Sequence, residues 1–381
     1  MSLAVAAALA APALAQNPAP SNEELARRID LLSEQVSGGA DLSGIFGSGF
    51  GERVSFGGYG EVEYTNFSGE TDGGAPSGKT DELDVHRVVF YFGYQFDDVW
   101  SFDSEIEYEH SDELAVEFAR IDARFSEALN FTGGLLLLPM GFINETHEPN
   151  TFFAAQRPML ERTILPSTWR ENGVGTYGRA GDLSWTVYLV NGFDAAGFDL
   201  AVNGVRGGRQ GGGDALAEDF AVVARLDWTG IPGLLVGGSI YQGDSGQTSA
   251  VSDFGVTITE LHAQYDWEAL RVRGLWAEAS VDDAGLLPTA SASEDLEGYY
   301  LEAGWDLFHG RTDGQRLIPF VRVENIDLGA ATPASTDLDI LGLGINWMPN
   351  QHVVLKLDVQ DESNDADTAV DTIRLTLGWA F

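Results

Sequence analysis

"DTIRLTLGWAF", Asp371 to Phe381, sets Ile373, Leu375, Leu377, Trp379 and Phe381 on every second position, with Thr372, Arg374, Thr376, Gly378 and Ala380 between them. A period of two is that of a β-strand with one apolar and one polar face. Terminal residues fray unless something ties them down. An alternation that runs to the final aromatic ring therefore predicts a strand paired on both sides, in a sheet that has no free edge.

The same period recurs along the chain from Val54 onward. Trp100, Phe102, Ser104, Ile106 and Tyr108 alternate with Ser101, Asp103, Glu105, Glu107 and Glu109; Phe220, Val222, Ala224, Leu226 and Trp228 with Ala221, Val223, Arg225 and Asp227; Val353, Leu355, Leu357 and Val359 with Val354, Lys356, Asp358 and Gln360. Read this way, sixteen strands begin near residues 54, 83, 99, 113, 129, 173, 183, 218, 234, 256, 270, 296, 316, 338, 352 and 370. Tight connections ("FDDV", "SEAL", "RAGD", "TGIPG", "DWEA", "MPNQ") alternate with long polar ones at 68–80, 140–172, 193–217, 243–255, 282–294 and 361–369. "HSDE", between strands three and four, is short where a long connection is expected. An even number of strands with short turns at one end and long loops at the other is the pattern of a transmembrane antiparallel β-barrel of the outer-membrane type.

A soluble sandwich also alternates, but it buries its apolar face and must close its edges. Here aromatic residues stand near strand ends (Trp100, Trp228, Trp267, Trp305, Trp347, Trp379), as a membrane girdle requires. The opposite faces carry Glu61, Glu63, Arg120, Asp122, Arg124, Glu302, Asp306, Arg322 and Glu324, which a dry core does not tolerate and a water-filled lumen does. The expected fold is all-β, a sixteen-stranded barrel.

Composition narrows the function further. The 381 residues hold 59 acidic and 21 basic side chains, a formal charge of −38, which excludes a nucleic-acid partner. Lys79 and Lys356 are the only lysines, and cysteine is absent, so disulfides, thiolate metal sites and a cysteine nucleophile are excluded. "LAVAAALAAPALA" closes on Ala13-Leu14-Ala15, the small-residue pattern of a signal-peptide cleavage site. Residues 1–15 then form a signal peptide and Gln16 the mature start, although the basic n-region is missing; a disordered Ala-rich tail is the alternative. Residues 16–50 form a spacer and a short helix. Ser21 and Glu24 make a capping box, and Leu25, Ile29, Leu32 and Val36 form one apolar seam about two heptads long. So short a helix needs a partner: copies of itself in a coiled coil, or the surface of a domain. The barrel occupies 51–381.

Motifs for chemistry are scarce. His86, His110, His147, His262, His309 and His352 form no H-E-x-x-H, and no two stand at a metal-binding spacing. "GGRQGGG" at 207–213 lacks the Lys-Ser/Thr of a phosphate-binding loop and reads as a flexible extracellular loop. "DESNDADTAVD" at 361–371 lacks the glycine and spacing of a calcium loop and reads as a solvated loop, with divalent bridging to anionic lipid headgroups as a further role. No catalytic residue, cofactor or metal is expected. An enzyme barrel assembled from distant strands, or a receptor or adhesin using the acidic loops, are the rival classes.

The segment Pro139 to Gly175 is the longest connection and is rich in Phe142, Ile143, Phe152, Phe153, Met159, Leu160, Ile164, Leu165 and Trp169. A loop of this composition folds onto a surface, and in a barrel the surface at hand is the inner wall. That brings Arg157, Arg162 and Arg170 toward Glu145, Glu148, Glu161 and Glu171, facing Arg120, Asp122 and Arg124 of the wall, and predicts a pore constriction within about residues 140–172. The ions serve either to fix the loop or to select solutes, and one cluster can do both.

Arg157-Pro158, Glu161, Pro166, Trp169-Arg170 and Gly173-Val174-Gly175, preceded by "ARIDARFSEALNFTGGLLLLPMGF", resemble the phosphate-selective porin O and P family of outer-membrane porins. The signal peptide and the short N-terminal helix fit the same family. The resemblance covers most of the chain and is strongest over 113–180. It implies a homotrimeric passive channel of the bacterial outer membrane, set among lipid and lipopolysaccharide, with the N-terminal helices in a periplasmic coiled coil and the long loop narrowing the pore. Family members pass phosphate along arginines and lysines. This sequence departs from that pattern, since lysine is nearly absent and carboxylates outnumber the basic residues of the polar faces. With an acidic mouth and a mixed constriction, the expected solutes are small anions or cations, with weak selectivity leaning to cations.

Overall fold

A computed structural model describes residues 53–289, 293–329 and 337–381. The expected signal peptide and N-terminal helix lie outside the described residues. Sixteen antiparallel strands close into a barrel, each paired with its neighbours in sequence and β1 with β16. They are β1 (Val54–Phe67), β2 (Glu82–Gln95), β3 (Trp100–Glu109), β4 (Glu113–Arg124), β5 (Asn130–Leu137), β6 (Arg170–Ala180), β7 (Leu183–Asn191) and β8 (Phe220–Ile231). The second half comprises β9 (Leu234–Gly243), β10 (Val256–Trp267), β11 (Leu270–Val281), β12 (Asp295–Trp305), β13 (Arg316–Asp327), β14 (Leu338–Asn350), β15 (Val353–Asn364) and β16 (Thr372–Ala380). Strand number and order match the sequence reading. β6 begins three residues before its expected start, and β15 runs through Asn364, so the acidic run opens as strand and only 365–371 is loop.

The closing seam answers the terminal alternation. β16 pairs with β1 from Tyr59↔Ala380 to Phe67↔Thr372. Beyond it the Phe381 N–H donates to the Gly58 carbonyl (2.8 Å) and the Gly58 N–H to the Phe381 carbonyl (2.9 Å). Closure leaves no unpaired strand edge, which is the condition for a sheet to stand in hydrocarbon. The outward side chains are apolar and exposed, among them Leu226, Leu261, Leu301, Leu343, Leu357 and Leu375. Trp100, Trp228, Trp267 and Trp347, near strand ends beside short turns, are also exposed, as is Trp305 at the end of β12. No described helix is long and apolar enough to cross a membrane.

The interior departs from the expected water-lined polar wall. Toward the long-loop end, β7 to β14 turn Val190, Val223, Tyr241, Ile258, Ala277, Leu296 and Ile340 inward. These form one hydrophobic core with Leu160, Ile164, Leu165 and Trp169 of the long loop and with Phe193, Phe198, Leu200 and Val205 of the next. Trp169 stacks on Phe193 (centroids 4.5 Å, interplanar 13°) and packs against Tyr241 (4.9 Å); such aromatic pairs contribute roughly 0.5–1.5 kcal/mol each beyond area burial. Glu61, Glu302, Arg322 and Glu324 of the polar faces are buried rather than water-exposed. Each is paired or capped: Arg87 on Glu61 (2.5 Å), Arg273 on Glu302 (2.5 Å), Arg322 on Glu324 (2.7 Å).

Candidate pore lining

The connection between β5 and β6 folds into the barrel because its backbone finds donors and acceptors on the wall. Asn144 ties its neck: the side-chain amide donates to the carbonyls of Leu138 (2.8 Å) and Trp169 (2.9 Å), and its oxygen accepts the Trp169 N–H (2.6 Å). On the far side Lys356 donates to the carbonyls of Phe152 (3.1 Å) and Ala154 (2.8 Å), with its ammonium 3.7 Å from the centre of the Phe152 ring. Asn346 donates to Phe153 O (2.9 Å) and Arg322 to Gln156 O (3.1 Å). Glu324 accepts the Met159 N–H (2.7 Å), Asp358 the Ala155 N–H, and Glu63 the Gln156 side chain (2.7 Å). A single helical turn, Leu160–Thr163, follows.

Glu161 and His147 do structural work. Glu161 is buried and accepts the N–H groups of Phe142 (2.9 Å) and Ile143 (2.7 Å) and the Tyr300 hydroxyl (2.6 Å). The buried His147 donates from Nδ1 to Asn144 O (3.1 Å) and from Nε2 to Glu117 (2.7 Å), with Glu105 at 3.4 Å. Both ring nitrogens face acceptors, so the ring carries both protons. Burial opposes that charge, but Glu117 and Glu105 outweigh it and hold the His147 pKa well above the ordinary histidine value. Glu148 accepts the Tyr91 hydroxyl (2.9 Å).

One cavity among the described residues has a volume of about 460 Å³, and its lining groups basic residues on the loops and acidic ones on the wall. Arg157, Arg162 and Arg170 of the long loop line it together with Arg374 of β16, as do Arg206 and Arg209 from the connection between β7 and β8. Glu82, Asp84, His86, Glu109 and His110 line it from β2 and the end of β3. Counting Arg87, Glu61 and Glu63, seven arginines stand among five carboxylates, a local excess of positive charge in a chain of formal charge −38. Arg170 reaches Glu117 at 3.7 Å and Arg374 reaches Glu63 at 3.7 Å. Burial, then the neighbouring Arg209 and Arg162, push the Arg206 guanidinium down to about 9.

The sequence-derived residues therefore divide. Arg157, Arg162 and Arg170 converge on the cavity; Glu148 and Glu161 hold the loop. Arg120, Asp122 and Arg124 sit on β4 toward the short-turn rim and do not line this cavity. Arg120 pairs with Asp122 (3.0 Å), and Glu145 stands in the field of Arg225 and Arg120. Arg206 and Arg209 belong to the stretch read as a flexible extracellular loop, and the structure corrects that reading. Arg206 donates to Arg162 O (3.3 Å) and Ser167 O, and Arg209 to Pro166 O (3.2 Å) and Thr168 O (3.0 Å). Glycine is required there for closeness, since a Cβ on Gly207 would lie 2.0 Å from the Gly197 carbonyl. The signal in the sequence is the flanking Phe193, Phe198, Leu200 and Val205, too apolar for a solvated loop.

The fold is that of the outer-membrane porins. OmpF of Salmonella typhi, in complex with daunomycin, superposes with a TM-score of 0.58 at 12% identity, over 86% of this chain and 97% of that one. An anion-selective porin from Comamonas acidovorans gives 0.55 at 12%, over 86% and 99%. The trimer form of OmpT, an outer membrane protein of Vibrio cholerae, gives 0.55 at 12%, over 86% and 99%. No family model matches the sequence. The chain belongs to the same family as an uncharacterized protein of Aquifex aeolicus, 33% identical over 355 residues that make up 86% of this chain and 80% of that one.

Proposed function

We propose that this protein is a porin of the bacterial outer membrane, a passive diffusion channel for small hydrophilic solutes and ions and not an enzyme. The observation that carries the reading is a closed barrel, apolar outside, that encloses a cavity lined by an arginine shelf on two infolded loops and by acidic residues of β2 and β3. Opposed charges across a narrow opening orient and sort solutes without binding any of them tightly, as conduction requires. The long loop at 140–172 is the constriction, Arg157, Arg162 and Arg170 are its solute-facing residues, and selectivity is weak.

A second reading, an anion-selective channel of the phosphate-selective porin O and P kind, draws support from the local surplus of guanidinium. The fold of the Comamonas acidovorans anion-selective porin is compatible with it. The assembly is a homotrimer, joined through the outer barrel wall and through coiled-coil packing of Leu25, Ile29, Leu32 and Val36, among outer-membrane lipid and lipopolysaccharide. Residues 1–15 are a signal peptide.

Conductance of purified, refolded protein in planar bilayers tests the channel. Stepwise current increments are expected, and a correctly folded barrel that carries no current overturns the reading. Deleting 21–38 is expected to weaken the trimer and leave the barrel intact; a wild-type protein that is monomeric in mild detergent overturns the trimer.

A further inference from the structure

The acidic side of the cavity carries two imidazoles that the sequence keeps apart. His86 lies in β2, and His110 follows the last residue of β3. The His110 N–H donates to the His86 carbonyl (3.4 Å), and the rings meet edge to face with centroids 5.8 Å apart. Two local irregularities bring the side chains together. The β1–β2 register slips so that Glu61 faces Arg87 while Glu63 faces Asp84. That puts one extra residue on β2, and such a bulge re-aims side chains, which explains why Asp84, His86 and Arg87 all line the cavity. At the other end His110 and Ser111 take φ of 49° and 68°, the tight left-handed turn that folds β3 back into β4.

Asp84 completes the group. Its Oδ2 lies 2.6 Å from Nδ1 of His110 and 3.7 Å from Nδ1 of His86, and one donor atom from each of the three falls within 4.8 Å of the others. Other wall carboxylates meet a guanidinium, as in Arg87–Glu61, Arg273–Glu302 and Arg322–Glu324, or a single buried imidazole, as in Glu117–His147 and Glu260–His262. Among the described residues the ion pairs of Asp84 are with these two imidazoles. The three side chains are 33%, 28% and 50% exposed and open on the cavity, so an ion arriving from solution reaches them and keeps water on its remaining positions.

We propose that Asp84, His86 and His110 form a binding site for a divalent transition-metal ion of the zinc, nickel or copper class. Two imidazole nitrogens and one carboxylate oxygen suit these ions, whereas calcium and magnesium require shells made of oxygen. Ligands at about 2.1 Å in tetrahedral geometry stand about 3.4 Å apart, so the donors move only slightly. The proton that joins Asp84 to His110 leaves as the ion enters. The bound ion offsets two of the three carboxylate charges that Glu82, Asp84 and Glu109 place on this side of the cavity. The effect on current rests on the channel reading; the binding does not.

Isothermal titration of the folded, detergent-solubilised protein with zinc chloride tests the site. One zinc ion per chain is expected, with calcium chloride at equal concentration failing to displace it. The pair His86→Ala and His110→Ala, made together, is expected to weaken binding by more than tenfold. Asp84→Asn, which keeps both imidazoles and the side-chain shape, is expected to weaken it also, and heat-modifiable migration on gels verifies that each barrel is folded. Undiminished zinc binding in the double variant, equal competition by calcium, or no binding to the wild type would each overturn the proposal. Zinc-dependent loss of cation current in bilayers, abolished in the double variant, is the expected channel readout and is scored separately from binding.

Discussion

At the scale of single residues, the infolded loop is held by charges that water does not reach, and His147 is the sharpest case. Its ring bridges the Asn144 carbonyl and Glu117, with Glu105 alongside, and all of these side chains are buried. Removing one partner of a buried ionic cluster typically costs about 3–5 kcal/mol, because the other charges stay behind unpaired. His147→Ala is therefore expected to raise amide exchange in the 142–165 segment at pH 7 while the strand amides keep their protection. The pH dependence has a definite sign. The folded pKa of His147 lies above its unfolded value, so its contribution is full below about pH 6.5, the unfolded histidine range, and is lost as pH rises through the folded pKa. Loop protection, corrected for intrinsic exchange rates, should fall on the alkaline side in the wild type. In the His147→Ala variant it should be low and flat. Equal protection in both proteins would mean that the Lys356 and Glu324 contacts hold the loop without His147.

At the scale of elements, the strands were legible because a two-residue period is a global constraint: slipping it by one residue would turn every apolar side chain of that strand into the lumen. The starts of all sixteen strands fall within three residues of the alternation reading. What the alternation hid are its own interruptions. Between Glu105/Phe118 and Ile106/Val116 the register gains a residue on β4, and Glu117, on the opposite parity from Arg120, Asp122 and Arg124, ends buried against His147. The bulge near His86 hides a second inward group in the same way. The glycine-rich connection misled for a different reason: glycine marks flexibility and close approach alike, and only packing separates them. A pair of substitutions does so by experiment. Gly207→Ala puts a methyl against the Gly197 carbonyl, whereas Gly213 has nothing within 4 Å of its Cβ position. Overpacking of this kind costs about 1–3 kcal/mol and should displace Arg206 and Arg209, so Gly207→Ala is expected to change single-channel conductance and Gly213→Ala to leave it unaltered. If both are silent, the segment is mobile after all and its arginines play no part in the lining.

At the scale of the whole molecule, two charge distributions compete. The chain carries a formal charge of −38, part of it in loops such as 365–371, while the cavity gathers seven arginines among five carboxylates. The diffuse negative field concentrates cations at the mouth and acts through solvent over roughly a Debye length, about 10 Å at 0.1 M salt and about 3 Å at 1 M. The arginines of the opening act on an ion at contact distance, partly shielded from bulk water, and salt weakens them much less. The balance between the two is therefore set by ionic strength. Reversal potentials across a fixed salt ratio are expected to lean to cations near 0.1 M and to move toward anions as both baths approach 1 M. Replacing Arg206 and Arg209 together with glutamine should remove most of that movement, because the remaining arginines are closer to balance with Glu61, Glu63, Glu82, Asp84 and Glu109. A reversal potential that keeps its cation preference at 1 M would mean that the acidic wall of β2 and β3, and not the arginine shelf, governs the narrowest passage. A strong anion preference already at 0.1 M, blocked by phosphate, would favour the anion-selective reading and show that contact with guanidinium overrides the net charge at every ionic strength.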